Sequence, residues 1–248
     1  MSSLAVRKRR DVGLPPPEAQ PAACAIVIPE HDLVVPASAL TLAGFRAWAK
    51  SDDFPERGRI SFLDQELYID MSPEEIETHN KVKAEAGRVL LNLNKKVKLG
   101  EFYADGVLVT NVEANLSTEP DAAFATWLTI ESGRIRYIPR EGKQGQYIEL
   151  EGTPDWVLEI LSKSSVQKDT KRLRERYHRA GVTEYWLIDA REEDINFQIL
   201  IRGETDYVAA PSRNGWQVSK VFGRRFRLVR RRGRLNYWEY TLEMKPLR

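Results

Sequence analysis

Two acidic residues stand in apolar surroundings, where carboxylates are rare. Glu159 interrupts the run Trp156-Val-Leu-Glu-Ile-Leu161, which opens after Pro154-Asp155 and closes on Ser162-Lys163. Asp121 follows Pro120 and opens a second apolar run, Ala122 to Trp127. A carboxylate is almost never fully buried unless it is paired or bound to metal. Glu159 therefore calls for an ion pair with a helix Lys or Arg, or for a cation in a pocket. If the two runs are neighbouring strands, both carboxylates converge on one hard ion, and Asp121 does more than shape a Pro-Asp turn. Mg²⁺ or Mn²⁺ prefers such oxygen ligands and keeps several waters. An ion of this kind binds a phosphate oxygen and activates a water for in-line attack. A nearby Lys would orient that water or stabilise the transition state.

The elements that must position these groups follow from periodicity. Trp156 to Leu161 reads as a buried strand, Lys168 to Ala180 as a basic helix, and Glu184-Tyr-Trp-Leu-Ile-Asp189 as a second strand, together a βαβ-like unit. Tyr177 shares an inward helix face with Leu173 and Ala180, which assigns it to core packing. Upstream, Ser38 to Lys50 has helical spacing with Thr41 as N-cap, and Ile60 to Met71 reads as a hairpin joined at Asp64-Gln65. Ser72-Pro73-Glu74-Glu75 has the order of a helix start, with Ser72 as N-cap, and the helix runs to about Lys98 before Gly100. His79 extends its apolar stripe, as a core residue or as a catalytic one. Phe102-Tyr103 and Val107 to Val112 read as strands, and residues 131–152 as a surface insertion containing a hairpin. Short antiparallel strands are predicted from Asn196 to Val229.

Composition excludes several classes. The 248 residues are 30% charged and 42% hydrophobic, ordinary for a globular chain. No apolar run approaches the ~20 residues of a membrane helix, and no apolar segment follows Arg7-Lys-Arg-Arg10, so neither a membrane protein nor a secreted one is expected. The one cysteine, Cys24, rules out an internal disulfide and fits a cytoplasmic location. Residues 1–37, rich in proline, read as a disordered extension before a single domain over 38–248. The net charge of +2 is too small to argue for nucleic acid by itself, but Arg224-Arg225, Arg227 and Arg230-Arg-Arg232 form a local basic cluster that would either track phosphates or be a solvated face. There is no Gly-x-Ser-x-Gly elbow, phosphate-binding glycine loop or His-Glu-x-x-His helix.

Pro120-Asp121, the block Pro154 to Ser162, Asp169 with Tyr177, and Ala180 to Asp189 resemble the Uma-type family of restriction endonucleases, a branch of the PD-(D/E)xK nuclease superfamily. The Leu63 to Leu67 hairpin and the Met71-Ser-Pro…His79 helix start match in order, so the resemblance spans roughly residues 40–230. It implies an α/β (mixed α+β) fold with a restriction-endonuclease-like core, a central mixed sheet flanked by helices, and additional antiparallel strands. It also implies an endonuclease dependent on Mg²⁺ (or Mn²⁺) that hydrolyses DNA phosphodiester bonds. Asp121 and Glu159 would hold the metal. The superfamily lysine falls on Leu161, and the family's alternative position, four residues after Asp169, falls on Leu173. Lys168 and Lys171 are the nearest substitutes, and Lys168, closer to the strand end, is preferred. The expected site is therefore Asp121, Glu159, Lys168 and His79, with DNA as partner and a homodimer favoured for duplex cutting. The displaced lysine also admits a nuclease fold without catalysis, acting as a nucleic-acid-binding or protein-interaction module.

Overall fold

The runs Trp156–Ile160 and Glu184–Asp189 are apolar on both faces because both faces are covered. The structure, a computed structural model, describes residues 25–140 and 145–247. In chain order it contains β1 (Ala25–Ile28), β2 (Leu33–Pro36), α1 (Leu42–Ala49), β3 (Arg59–Leu63), β4 (Glu66–Asp70) and α2 (Lys81–Val97). There follow β5 (Gly100–Ala104), β6 (Leu108–Asn111), β7 (Leu116–Thr118), β8 (Ala122–Thr126), α3 (Trp127–Glu131), β9 (Ile135–Pro139) and β10 (Tyr147–Gly152). The last part holds β11 (Trp156–Ile160), α4 (Arg174–Ala180), β12 (Glu184–Asp189), β13 (Asn196–Arg202), β14 (Tyr207–Ala209), β15 (Ser212–Arg213), β16 (Trp216–Ser219), β17 (Arg224–Arg232) and β18 (Trp238–Pro246).

The central sheet has the order β14-β13-β12-β11-β8-β5. Its one parallel pair is β11 with β12, joined through α4 as the βαβ spacing predicts; the other pairs are antiparallel. Strand alternation sends Trp156, Leu158, Ile160, Trp186 and Ile188 to one face, against Val82, Ala86 and Leu90 of α2. Val157, Leu161, Tyr185 and Leu187 point to the other, against Leu173, Tyr177 and Ala180. Glu159 shares the parity of Val157 and so belongs to the α4 face. A second six-stranded sheet, β4-β3-β7-β6-β10-β9, packs on that side through Leu63, Val109, Leu116 and Leu150. The α/β class, with a mixed central sheet between helices and extra antiparallel strands, is as expected.

Four local expectations need correction. The segment 25–37 is not disordered: β1 and β2 pair, and Leu33 and Val35 are buried against Phe45, Trp48 and Phe62; residues 1–24 lie outside the described residues. The helical segment that leads into α2 starts with a wide turn, Ile76–Asn80, whose N-cap is Glu75, not Ser72. The Ser72 N–H and hydroxyl are tied back to Asp70, while the Glu75 carboxylate accepts from the N–H groups of Glu77 and Thr78. Lys98, at φ 52°, rather than Gly100 ends that helix; Gly100 opens β5, where a Cβ would lie 2.0 Å from the Ala125 carbonyl oxygen. The 131–152 stretch is not a surface insertion, because β10 pairs in parallel with β6 and completes the second sheet. Its Glu149 is buried, 2.6 Å from Arg46 of α1.

Candidate active site

The antiparallel register of β8 on β11 sets Ala122 opposite Leu158, so Asp121 lies beside the end of β11 where Glu159 sits. Asp121 has the parity of Ala123 and Ala125, which face α4, and therefore lies on the same side of the sheet as Glu159. Its Oδ2 accepts a 2.7 Å hydrogen bond from the backbone N–H of Ile160. Both carboxylates are 3% exposed. Glu159 is not satisfied by a helix Lys or Arg: its Oε1 accepts from the Tyr177 hydroxyl at 2.7 Å. Tyr177 is fully buried as predicted, and this hydrogen bond is a second role that the packing argument missed.

Lys168 and Asp169 open a wide π turn, Lys168–Leu173, that runs into α4. Lys168 is not a solvated helix charge: its side chain is 14% exposed, and Nζ lies 3.5 Å from Asp169 Oδ1. Lys171 is exposed. Leu161 and Leu173 are core residues, packed with Val157 and Tyr177. Asp169 is 1% exposed, and sequence reasoning did not place it in the site. The signal was present, since the inward face of Leu173, Tyr177 and Ala180 extends back one turn to residue 169. Most of the other helix cations are engaged structurally. Arg176 holds Asp64 of the β3–β4 turn at 2.8 Å, and Arg174 holds Asp206 at 2.9 Å. The helix is therefore not a bare basic face.

His79 lies in a second π turn, Ile76–Asn80, that leads into α2. Wide turns of this kind recur at functional positions. Its Nδ1 is 2.7 Å from Glu74 Oε1 and its Nε2 is 3.4 Å from Asp121 Oδ2. The Arg59 guanidinium approaches Asp121 Oδ1 at 3.2 Å, and the Lys83 ammonium is 3.9 Å away. Arg59, Lys83 and Glu74 were not read from the sequence. They sit on β3 or around the start of α2, far along the chain from the acids they serve. Arg59, His79, Asp70 and Ser164 line a cleft of about 750 Å³ beside this group.

The charges separate the two acids. Burial pushes the Glu159 carboxyl up, and neighbouring Asp169 and Asp121 push it further, to well above the usual carboxylate range despite Lys168 and the Tyr177 hydroxyl. Burial acts the same way on Asp121, but the His79 imidazole and Arg59 outweigh it and hold that carboxyl below its ordinary value. Burial works to lower His79; Asp121 and Glu74 overcome it and raise the ring. Lys168 is likewise held above its usual value, since Asp169, Glu159 and Asp121 outweigh its burial. Without a cation, then, the surroundings favour charge on Asp121 and disfavour it on Glu159.

The donor set fits a hard divalent ion. It consists of carboxylate oxygens, and the buried Oδ1 atoms of Asp121 and Asp169 have no hydrogen-bond partner, making ion-pair contacts to Arg59 and Lys168 instead. Among the described residues no group of three or more His, Cys, Asp or Glu side chains is placed to hold a metal ion. An ion here would therefore complete its shell with water, as Mg²⁺ commonly does.

A mixed central sheet between helices, with buried acids at adjoining strand ends, places the chain among nuclease-type α/β folds. The chain belongs to the family described as "Uma2: Putative restriction endonuclease", whose model matches residues 42–228. The crystal structure of "a putative nuclease belonging to DUF820" from Anabaena variabilis ATCC 29413 superposes with a TM-score of 0.53 at 18% identity, covering 73% of this chain and 90% of that one. At that identity the likeness is one of fold. No curated protein matches the chain. Among the described residues no helix is long and apolar enough to cross a membrane.

Proposed function

We propose that this chain is a divalent-metal-dependent endonuclease that hydrolyses DNA phosphodiester bonds. The observation that carries the reading is the placing of Asp121 and Glu159 on one side of the sheet at adjoining strand ends, with the half-buried Lys168 paired to Asp169 nearby. Asp121 and Glu159 would hold Mg²⁺ or Mn²⁺, with Asp169 close enough to share the charge. Such an ion, when bound, supplies Lewis-acid stabilisation of a phosphate oxygen and acidifies a water.

The chain's own residues do the rest. His79 and Arg59 keep Asp121 ionised and ready to accept the ion. The Tyr177 hydroxyl orients Glu159, whose other carboxylate oxygen would be free to hold the cation. Lys168 fills the place of the lysine that Leu161 and Leu173 do not supply, adding positive charge where negative charge develops on the phosphate. The cleft lined by Arg59 and His79 admits the strand. Cutting both strands of a duplex calls for two such sites, which a homodimer would provide.

Plasmid DNA incubated with the protein and Mg²⁺ or Mn²⁺ tests this directly, beside Asp121→Ala and Glu159→Ala. Nicking by the wild type that both substitutions abolish is expected. Nicking that survives both removes the proposal. No nicking by any form, with Mn²⁺ still bound, leaves the non-catalytic module as the reading.

A further inference from the structure

The basic run Arg224 to Arg232 divides once it is folded. Arg230 turns inward, donating to the Ala190 carbonyl at 2.8 Å, with its guanidinium 4.1 Å from the centre of the Trp238 ring. Arg231 pairs with Glu239, Arg227 with Glu243, and Arg224 donates to the Gly223 carbonyl. Arg225 takes no part in these pairs. In the β17–β18 register it stands directly opposite Lys245. Like charges set across a ladder are destabilising. The ion pairs on these two strands involve neither residue, and the buried Nε of Arg225 has no hydrogen-bond partner among the described residues.

Alternation explains where this pair points. Phe226 and Leu242 face the core beneath α2. Arg225, Arg227 and Lys245 face away and, with Arg213 and Trp216, line a cavity of about 500 Å³. The Trp216 ring gathers the cations, with Lys245 Nζ 3.9 Å and the Arg227 guanidinium 4.9 Å from its centre. Glu243 is the carboxylate that pairs with this group through Arg227. The surface therefore carries an unneutralised positive excess at a fixed spacing, maintained against repulsion.

We propose that the outer face of the β15-β16-β17-β18 sheet docks the sugar–phosphate backbone of a nucleic acid, with Arg225 and Lys245 bracketing a phosphate. An anion between them turns the repulsion into attraction, and Arg presents a planar fork suited to phosphate oxygens. Trp216 is already engaged by two cations, so the contact is to backbone, not to stacked bases, and carries no sequence preference. The surface shares no lining residue with the cleft of Arg59 and His79. Lys245, on β18, lies beyond the stretch matched by the family. The inference stands whether or not the cleft cleaves.

The experiment is duplex binding by fluorescence anisotropy in EDTA, which removes metal chemistry, comparing wild type with the double variant Arg225→Gln/Lys245→Gln. At about 0.1 M salt the double variant should bind roughly tenfold more weakly, and the slope of log K against log salt should shrink by about 0.9, for the one phosphate no longer neutralised. Arg225→Lys, which keeps the charge, should retain the wild-type slope. The double variant should melt no lower than wild type in the absence of DNA, because the like-charge pair is gone. Unchanged affinity and slope in the double variant overturn the proposal, as does binding to polyglutamate of matched charge that is as tight as to duplex.

Discussion

The carboxylate of Asp121 is hydrogen-bonded at 2.7 Å to the backbone of Ile160, the residue that follows Glu159. This bond ties the start of β8 to the end of β11 and brings together two acids 38 positions apart in the chain. Replacing Asp121 by Asn keeps the shape and the acceptor oxygen but removes the charge. Nicking by Asp121→Asn should fall at least about a hundredfold, while its circular dichroism stays that of the wild type. A plasmid time course read beside the spectrum checks both.

Tyr177 reports on Glu159. Its hydroxyl is the hydrogen-bond donor to that carboxyl, at 2.7 Å in a fully buried position. Tyr177→Phe should cost about 1 kcal/mol of stability. Because partners that orient a ligand set its affinity, Mn²⁺ should bind roughly tenfold to a hundredfold more weakly. Calorimetric titration measures the second effect independently of cleavage.

Lys168 and Lys171 separate a half-buried, paired cation from an exposed one. Lys168→Met leaves the buried Asp169 without its cation, so the protein should lose on the order of 3 kcal/mol along with its nicking. Lys168→Arg should recover much of the stability. Lys171→Met should lie within about 0.5 kcal/mol of wild type and still nick DNA. Denaturant melts and the plasmid assay on the three variants distinguish these outcomes.

The raised Glu159 carboxyl sets a pH dependence. A group whose folded value lies above its unfolded one contributes stability that is complete below the unfolded value and lost as pH rises through the folded one. The metal-free wild type should therefore lose melting temperature as pH rises above the ordinary carboxylate range, and Glu159→Gln should lose less. His79, also raised, adds in the same direction, and Asp121, held low, acts oppositely at the acid end. Stabilisation by Mn²⁺ should grow with pH, since the proton ceases to compete. Thermal melts across pH, with and without Mn²⁺, read the sign.

Parts of this architecture were legible in one dimension. The runs around Trp156 and Trp186 are apolar beyond what a surface strand needs, and the helix between them marked a parallel pair. Glu159 stood out because a lone acid in such a run breaks the burial rule. The Asp64-Gln65 turn was readable too; both residues have positive φ. What depends on pairing between distant segments was not readable. The β1–β2 hairpin hid in a proline-rich stretch because its burial comes from Phe45 and Trp48, not from its own composition. The Arg224 to Arg232 run looked like one patch until strand alternation divided it.

The amino-acid order alone settled which residues had to be buried and which of them were acidic, because hydrophobic periodicity and the cost of burying charge are local properties. It did not determine the company those acids keep. Arg59, His79 and Lys83 reach Asp121 only because β3 and the start of α2 fold over the end of β8. Asp169 and Lys168 come near Glu159 only because the turn into α4 and the helix itself pack on the Glu159 face of β11. Electrostatic energy depends on distance through space, and that distance exists only once the sheet has set its register.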